Sequence, residues 1–290
     1  MSTQLEAERV RLRGVLGRYG IWRGRPGVPM DYAVEAERLG FGSLWAGGSP
    51  AADLVAVEEI LAATERIVVA TGIVNIWTAD VGQLADSFQR IEERHPGRFI
   101  LGIGPGHPER IEQAAKPYGP LVQYLDALES RGVPGHRLAL AALGPRITAL
   151  AGERTLGAHP YFAPAAHSAA SREVLGGSPL LIPEARVALE SDPARARDLL
   201  RPGMEFYFAL TNYRSNLVRL GLSDRQLDAE RDEAIDALAI WGEPDRIRTG
   251  LDDYLAAGAD HVLAQIIAQD GADLVAELGR LADALGLGEG

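Results

Sequence analysis

The chain has 290 residues, of which 47% are hydrophobic, so one large α/β domain with a complete core can form. Its net charge of −11 argues against nucleic acid or an anionic membrane as the main partner, and the lack of cysteine excludes disulfides, thiolate nucleophiles and cysteine-bound metal. The first residues carry no apolar run typical of a signal peptide, and no apolar stretch reaches about 18 residues, so we expect a cytoplasmic protein without a membrane span.

The first half of the chain repeats one unit, which consists of a helix-like pattern, a glycine and a short apolar strand. Runs of apolar and β-branched residues predict strands at 15–22, 43–45, 67–70 and 99–103. Apolar residues at helical spacing predict helices over 29–39, from Asp53 onward, and along Leu84, Phe88 and Ile91.

The second half continues the alternation with longer helical segments. Its predicted strands lie at 137–142, 158–162, 187–189 and 261–267. Its shorter predicted helices lie around 121–128, after Gly144-Pro145, at 168–176, after Pro244, and at 272–285. A long helical stretch, 193–241, precedes the last strand and contains the capping-box pattern Ser223-x-x-Gln226.

Eight strands that alternate with helices indicate an α/β fold, a single (β/α)8 TIM barrel over residues 1–290 with a helical insertion before strand 8. An open doubly wound sheet is the alternative. It is disfavoured because no G-x-G-x-x-G follows the first strand with an acidic residue about 20 positions later. In a parallel barrel the chemistry lies at the carboxyl ends of the strands.

A glycine-rich turn after the fourth strand, Gly104-Pro105-Gly106-His107, brings His107 and Arg110 to that end of the barrel. His107 is the best acid–base candidate, because imidazole gains or loses a proton near neutral pH. The other histidines near strands divide between the two ends: His159 and His167 lie on the catalytic side, and His136 and His261 on the opposite side. No histidine–carboxylate spacing typical of a metal site occurs, so we expect no metal.

Three of the four tryptophans, Trp22, Trp45 and Trp77, fall at or just beyond the carboxyl ends of the first three strands. Together they would form a π-rich wall that suits a flat heteroaromatic ligand. Ordinary core filling is the alternative for each of them.

Two turns add candidate binding features. Gly72 at the end of strand 3 indicates a bulge or a close approach of the backbone. The segment 141–146 joins a strand end to a helix start, where free amides and Arg146 would bind an anion. A plain turn with a solvated arginine is the alternative.

With these residues in view, the chain resembles the luciferase-like monooxygenase superfamily, and specifically its actinobacterial deazaflavin-dependent branch. The resemblance is carried by seven segments, at 41–45, 67–73, 96–104, 144–146, 157–161, 210–213 and 257–262. They span nearly the whole chain, and their ordered set is more specific for the family than for a substrate.

The resemblance implies a TIM-like barrel that binds coenzyme F420, or alternatively FMN, at its carboxyl end. It implies a cis peptide bond at Gly72–Ile73 behind the tricyclic ring, with Asn75 near the polar edge of the ring. The turn over Leu143–Ile147 would hold the phosphate of the cofactor tail. The candidate cofactor-binding residues are therefore Trp45, Gly72, Ile73, Asn75, Arg110, Leu143, Gly144, Arg146 and Ile147.

The chain departs from the deazaflavin sugar-phosphate dehydrogenases of this family at two places. They carry a glutamate where this chain has His107, and an Asp-His pair where it has Ala46-Gly47-Gly48. The sugar-phosphate substrate is therefore not carried over.

We expect an F420-dependent oxidoreductase that transfers a hydride to or from a small organic substrate, with His107 as proton donor or acceptor and with His159 and Tyr161 as second candidates. An FMN-dependent monooxygenase, a barrel that binds cofactor without turnover, and an aldolase-like barrel are the alternatives. Homodimers are common in the family, so a homodimer is a further expectation.

Overall fold

A ring of short parallel strands forms the centre of the molecule. The computed structural model describes residues 3–24, 27–106 and 116–288. Within these ranges the strands are β1 (Tyr19–Arg23), β2 (Ser43–Gly47), β3 (Val68–Gly72), β4 (Val74–Asn75), β5 (Phe99–Gly104), β6 (Leu138–Ala141), β7 (Gly157–His159), β8 (Leu180–Leu181), β9 (Glu184–Ala188), β10 (Ala239–Trp241) and β11 (Val262–Ile266). Every pairing between them is parallel.

Helices follow most of the strands and cover the outside of the ring. They are α1 (Thr3–Leu16), α2 (Met30–Arg38), α3 (Val55–Ala63), α4 (Val81–Arg94), α5 (Tyr118–Ser130), α6 (Pro145–Arg154), α7 (Ala165–Leu175), α8 (Pro193–Phe208), α9 (Thr211–Arg219), α10 (Asp224–Asp228), α11 (Arg231–Leu238), α12 (Pro244–Ala256) and α13 (Leu274–Leu285). The predicted apolar stripe of α4 is buried, and the predicted capping box opens α10. No helix within the described ranges is long and apolar enough to cross a membrane.

The ring of strands closes through β8 and β9, which follow each other and together occupy the place of one barrel strand. Pro183 separates them because it has no N–H to continue the ladder. On one edge the Ile182 amide donates to Ala158 O at 2.9 Å, and on the other the Leu263 amide donates to Pro183 O at 2.9 Å. Since β11 also pairs with β1, the predicted TIM barrel is confirmed.

Alternate residues along each strand face opposite sides of the barrel wall. On β9, Ala185 and Val187 pack outward into the core beneath the helices. Glu184 and Arg186 therefore face inward, at the carboxyl end of the barrel. This sidedness places two charged side chains inside the ring.

Helix α1 was not predicted, and the predicted first strand wrongly includes residues 15 and 16. They end α1 instead, and the strand begins at Tyr19. Leu5, Leu12 and Leu16 pack together with inward-facing strand residues, so α1 closes the amino end of the barrel.

The helical stretch after β9 consists of the four helices α8 to α11, and its last residues form the unpredicted strand β10, which pairs with β9. These helices have a core of their own, which includes Leu200, Met204, Leu217 and Ile235. The same core includes Phe162, just beyond β7. The predicted insertion before strand 8 is therefore present, and it packs over the barrel beside the carboxyl ends of β7 and β9.

Candidate functional site

The carboxyl-end opening of the barrel, called the mouth below, is built from small residues on one side. A Cβ at Gly47 or at Gly72 would overlap the indole of Trp22, and a Cβ at Gly104 would lie 2.7 Å from the Ala141 Cβ. These glycines therefore leave room for a flat ring to lie across the ends of β2 and β3. In this structure Trp22 lies there, with 6% of its surface exposed.

The Gly72–Ile73 peptide bond, which joins β3 to β4, is cis, as the resemblance implies. The side chain of Ile73 lies beside Gly104, where a Cβ would come 3.3 Å from its Cδ1. Asn75 follows at the end of β4, and its Oδ1 accepts from the Trp77 amide at 2.9 Å. Gly72, Ile73 and Asn75 are thus brought together at the mouth.

The three tryptophans do not form the predicted wall. Trp45 is fully buried inside the barrel, where its Nε1 donates to Ser43 Oγ at 3.1 Å and its ring lies 4.5 Å from that of His159. Trp77 packs against the core outside the barrel wall. Trp22 is the member of the set that lies at the mouth, and Trp45 lies beneath it.

His159 lies under the mouth and is 1% exposed. Its Nδ1 is 2.8 Å from Ile182 O, and since a carbonyl oxygen only accepts, Nδ1 carries the proton. Burial lowers the pKa of His159 to about 4, so the ring is neutral at neutral pH. Its Nε2 can accept a hydrogen bond there, but the neutral ring carries no proton at Nε2 to give as an acid.

Two buried polar atoms at the mouth, one acceptor and one donor, have no partner among the described residues. Neither His159 Nε2 nor Trp22 Nε1 has a hydrogen-bond partner among the described residues, although both atoms are buried. Both lie beside Gly72, where a Cβ would be 3.4 Å from His159 Nε2. A buried donor and a buried acceptor without partners mark a place where a polar ligand atom or a water molecule would be stabilised.

Tyr161 lies beyond β7, and its ring packs 4.9 Å from that of Trp22. Its hydroxyl belongs to a polar network: Arg186 Nη2 donates to it at 2.9 Å, Tyr207 OH donates at 3.3 Å, and it donates to Gln265 Oε1 at 3.2 Å. Burial, the largest cause, raises the pKa of Tyr161 well above its ordinary value. Tyr161 is therefore a protonated donor in a fixed orientation.

A buried ion pair behind Tyr161 was not predicted from the sequence. Glu184 and Arg186 are 1% and 3% exposed, with Glu184 Oε1 3.9 Å from Arg186 Nε. Glu184 Oε2 accepts from the Phe162 amide at 3.0 Å, and Arg186 Nη1 donates to Gly203 O at 2.8 Å. Burial would lower the pKa of Arg186, but Tyr161 and Glu184 raise it, so the guanidinium stays charged.

Aromatic side chains of the insertion cover this network. The guanidinium of Arg186 lies 5.0 Å from the ring centres of both Phe162 and Tyr207. Phe162 has a φ of 53°, a left-handed conformation that few non-glycine residues adopt, and it stacks on Tyr207 at 4.8 Å. Tyr207 and its neighbour Tyr213 therefore pack on the barrel and close the mouth on the side of β7 and β9.

The predicted anion site lies at the start of α6. Gly144 caps the helix without a side-chain hydrogen bond, so the amides of Arg146 and Ile147 in the first turn have no helical partner. The exposed guanidinium of Arg146 lies 4.5 Å from the Tyr118 ring. His167 Nε2 donates to Leu143 O at 3.0 Å, which holds the turn in place.

The remaining predicted residues lie elsewhere. His107 and Arg110 fall outside the described residues. His261 lies at the amino end of β11, where its Nδ1 donates to Gly17 O at 3.0 Å and its Nε2 lies 2.7 Å from Ser43 Oγ. Across residues 3–24, 27–106 and 116–288, no group of three or more His, Asp or Glu side chains could hold a metal ion.

Residues 24–130 match the family model of the luciferase-like monooxygenases, which confirms the resemblance at the level of the family. No curated protein matches the chain.

Solved structures share the fold over most of their length. An F420-dependent secondary alcohol dehydrogenase in complex with an F420-acetone adduct is 12% identical with a TM-score of 0.72, covering 94% of this chain and 99% of that chain. The coenzyme F420 dependent tetrahydromethanopterin reductase of Methanopyrus kandleri is 14% identical with a TM-score of 0.73, covering 92% and 98%. The oxygenating constituent of 3,6-diketocamphane monooxygenase of Pseudomonas putida, in complex with FMN, is 16% identical with a TM-score of 0.65, covering 92% and 96%.

Proposed function

We propose that this protein is an oxidoreductase that transfers a hydride between coenzyme F420 and a small organic substrate. The match of residues 24–130 to the family model of the luciferase-like monooxygenases supports the proposal. The observation that carries the proposal is the pair of buried polar atoms without partners at the mouth, Trp22 Nε1 and His159 Nε2, beside an indole that lies flat across the glycines at the ends of β2 and β3. When bound there, the deazaflavin would supply the carbon that gives or takes the hydride.

The residues at the mouth fit such a group. Trp22 offers an indole face, and Ile73 with its neighbouring backbone offers an apolar edge beside Gly104. Trp22 Nε1 and His159 Nε2 supply one unpaired donor and one unpaired acceptor next to Gly72. A ring that carries both carbonyl and N–H groups along one edge would satisfy such a pair.

The start of α6 would hold the anionic tail of the coenzyme. Two free amides, the positive end of the helix dipole and Arg146 converge there, in a chain whose net charge is −11. The N–H groups of Arg146 and Ile147 would donate to phosphate oxygens. Arg146 would add a charge-assisted hydrogen bond from its guanidinium.

The insertion would exclude water from the reacting centre. Phe162, Tyr207 and Tyr213 pack against one another beside Tyr161, so solvent is kept from that side. His159 would accept a hydrogen bond from a ligand at Nε2, because burial lowers its pKa and keeps the ring neutral. Tyr161 would hold Gln265 in place, because its only hydroxyl hydrogen goes to Gln265 Oε1. His107, as the proton donor or acceptor, stays a prediction from the sequence.

An FMN-dependent monooxygenase is the second candidate, and the likeness to an FMN-bound monooxygenase supports it. The two F420-dependent proteins resemble this chain with higher TM-scores, 0.72 and 0.73 against 0.65, and this favours F420. The two cofactors are chemically separable. Deazaflavin lacks the N5 atom that supports flavin oxygen chemistry, so oxygen consumption distinguishes the activities.

The experiment is a paired fluorescence titration of the apo-protein with oxidised F420 and with FMN. We expect micromolar binding of F420 and much weaker binding of FMN. Oxygen uptake is then measured with each reduced cofactor present. Tighter binding of FMN together with oxygen consumption would replace the proposal with the monooxygenase, and binding of neither cofactor would contradict both.

A further inference from the structure

We propose that Gln265 binds the substrate, with its Nε2 donating a hydrogen bond to the carbonyl or hydroxyl oxygen of an uncharged ketone or secondary alcohol. This inference rests on the proposed function and names the chemistry of the substrate that the mouth would take. Gln265 was not among the residues predicted from the sequence.

Gln265 faces the interior of the barrel at the carboxyl end of β11. Its neighbours Ala264 and Ile266 pack outward into the core beneath the helices, so the alternation along the strand turns Gln265 inward. It is the register partner of Arg186 on β9, and it is half-buried. Its hydrogen bond to Tyr161, which packs on Trp22, places it at the same opening as the glycine-lined side.

The orientation of the amide follows from the hydroxyl that it contacts. Arginine has no acceptor atom, so the oxygen of Tyr161 must accept from Arg186. It also accepts from Tyr207, and these two bonds fill its lone pairs. The hydrogen of Tyr161 therefore goes to Gln265, at 3.2 Å, and that contact must be the amide oxygen Oε1.

The other end of the amide is left for a ligand. Because Oε1 is held by Tyr161, Nε2 must point away from it. Nε2 has no hydrogen-bond partner among the described residues. It is also absent from the polar atoms that are buried without a partner there, so it is exposed to solvent. An oriented N–H donor open to the mouth binds an acceptor oxygen.

The charged groups nearest this donor are buried behind Tyr161. Arg186 donates to the Tyr161 hydroxyl, and Glu184 lies 3.9 Å from Arg186. Both side chains are buried, so neither reaches a ligand in the mouth, and the pair offers no direct contact for a carboxylate or an ammonium group. The ring of Trp22 next to Tyr161 adds apolar surface, which suits an oxygen carried on a hydrocarbon skeleton.

Replacing the amide donor of Gln265 by a carboxylate acceptor tests the proposal. Glutamate has the shape of glutamine, and its ionised carboxylate can accept but not donate. A ketone oxygen can only accept, whereas an alcohol can also donate. Gln265→Glu should therefore lose the ketone and keep the alcohol, whereas Gln265→Met should lose affinity for both. Gln269→Met, at an exposed position in the following loop, is the matched control.

The measurement is calorimetric titration of the F420-loaded protein with cyclohexanone and with cyclohexanol, after coenzyme binding and the melting temperature of each variant have been checked. We expect wild type and Gln269→Met to bind both probes, and Gln265→Met to bind each about tenfold more weakly. For Gln265→Glu, we expect cyclohexanone to bind at least tenfold more weakly and cyclohexanol to bind as in wild type.

Two results would overturn the subsite while the cofactor assignment stands: the loaded wild type binds neither probe, or Gln265→Glu binds cyclohexanone as tightly as wild type. Failure of the wild type to bind F420 in the preceding step would instead contradict the proposed function, and the subsite with it. If Gln265→Met has a lowered melting temperature, Gln265→Glu still tests whether Gln265 binds the ketone, because its carboxylate keeps an acceptor for the Tyr161 hydroxyl.

Discussion

The indole of Trp22 lies directly over Gly47, at the end of the neighbouring strand, and no side chain fits between them. The contact explains why a glycine is needed in a β-strand, where this residue is otherwise disfavoured. It also fixes the flat surface on which the proposed cofactor ring would lie.

We therefore expect Gly47→Ala to push the Trp22 ring out of place and to lower the free energy of unfolding by about 1–3 kcal/mol. Affinity for the coenzyme should fall together with stability. Urea unfolding and fluorescence titration measure the two effects. In the double variant Gly47→Ala/Trp22→Phe, the smaller ring should restore part of the lost stability.

Gly279→Ala is the control, because a Cβ there meets nothing within 4 Å in helix α13. It should raise stability by about 0.5–1 kcal/mol, as alanine does in a helix. If Gly47→Ala behaved like Gly279→Ala, the close contact with Trp22 would be wrong.

A second prediction concerns Arg9, which is fully buried under the amino end of the barrel. Its guanidinium donates to Gly152 O at 2.6 Å, Thr155 O at 2.5 Å and Leu156 O at 3.1 Å, and so joins α1 to the end of α6 and the start of β7. Arg9→Met should remove the donors of these carbonyls and cost about 3 kcal/mol or more of unfolding free energy.

The matched control is Arg38→Met, an exposed arginine whose ion pair with Glu35 lies within one helix. Exposed pairs of this kind contribute little, so its unfolding curve should stay close to that of wild type. Equal unfolding midpoints for the two variants would show that α1 does not close the barrel through Arg9.

A third prediction concerns acid sensitivity. Burial lowers the pKa of both His159 and His261 to about 4, against an ordinary value of 6.5. Between these pH values the unfolded chain binds protons that the folded protein does not. The contribution of the two neutral histidines to the free energy of unfolding is therefore fully present above pH 6.5. It is lost as the pH falls towards 4, by up to about 1.4 kcal/mol per pH unit for each histidine.

Urea unfolding at pH 7.5, 5.5 and 4.5 measures this slope. His261→Gln keeps a donor for Gly17 O and removes one titrating group, so its stability should decline less steeply over the same pH values. A variant with the same slope as wild type would show that His261 does not titrate on unfolding in this pH range.

The sequence predicted the barrel because most of its strands are short apolar runs, several of them next to a glycine, and because helices between them carry apolar stripes. It also placed Gly72, Ile73 and Asn75 together, since they are neighbours in the chain. Helix α1 was missed at Val15, where a β-branched residue next to an apolar strand reads as part of that strand.

The polar part of the site could not be predicted in this way. Glu184 and Arg186 alternate with apolar residues, a pattern that normally places charges in solvent, whereas a barrel turns that face inward. The prediction that Trp45 lies at the mouth was wrong for a related reason. Position near a strand end does not tell whether a side chain lies at the mouth or one layer below it, because that depends on the stagger between strands.

The last prediction concerns Arg146 at the start of α6. If it meets the phosphate of the coenzyme, Arg146→Ala should weaken F420 binding by about 1–3 kcal/mol, and should reduce the dependence of the affinity on salt concentration. Arg154→Ala, at the other end of the same helix, removes an equal charge that pairs with Asp126 and Glu129, and should leave affinity unchanged. Fluorescence titration at two salt concentrations compares the variants. Equal affinity of both variants and wild type would mean that Arg146 does no more than pack on Tyr118.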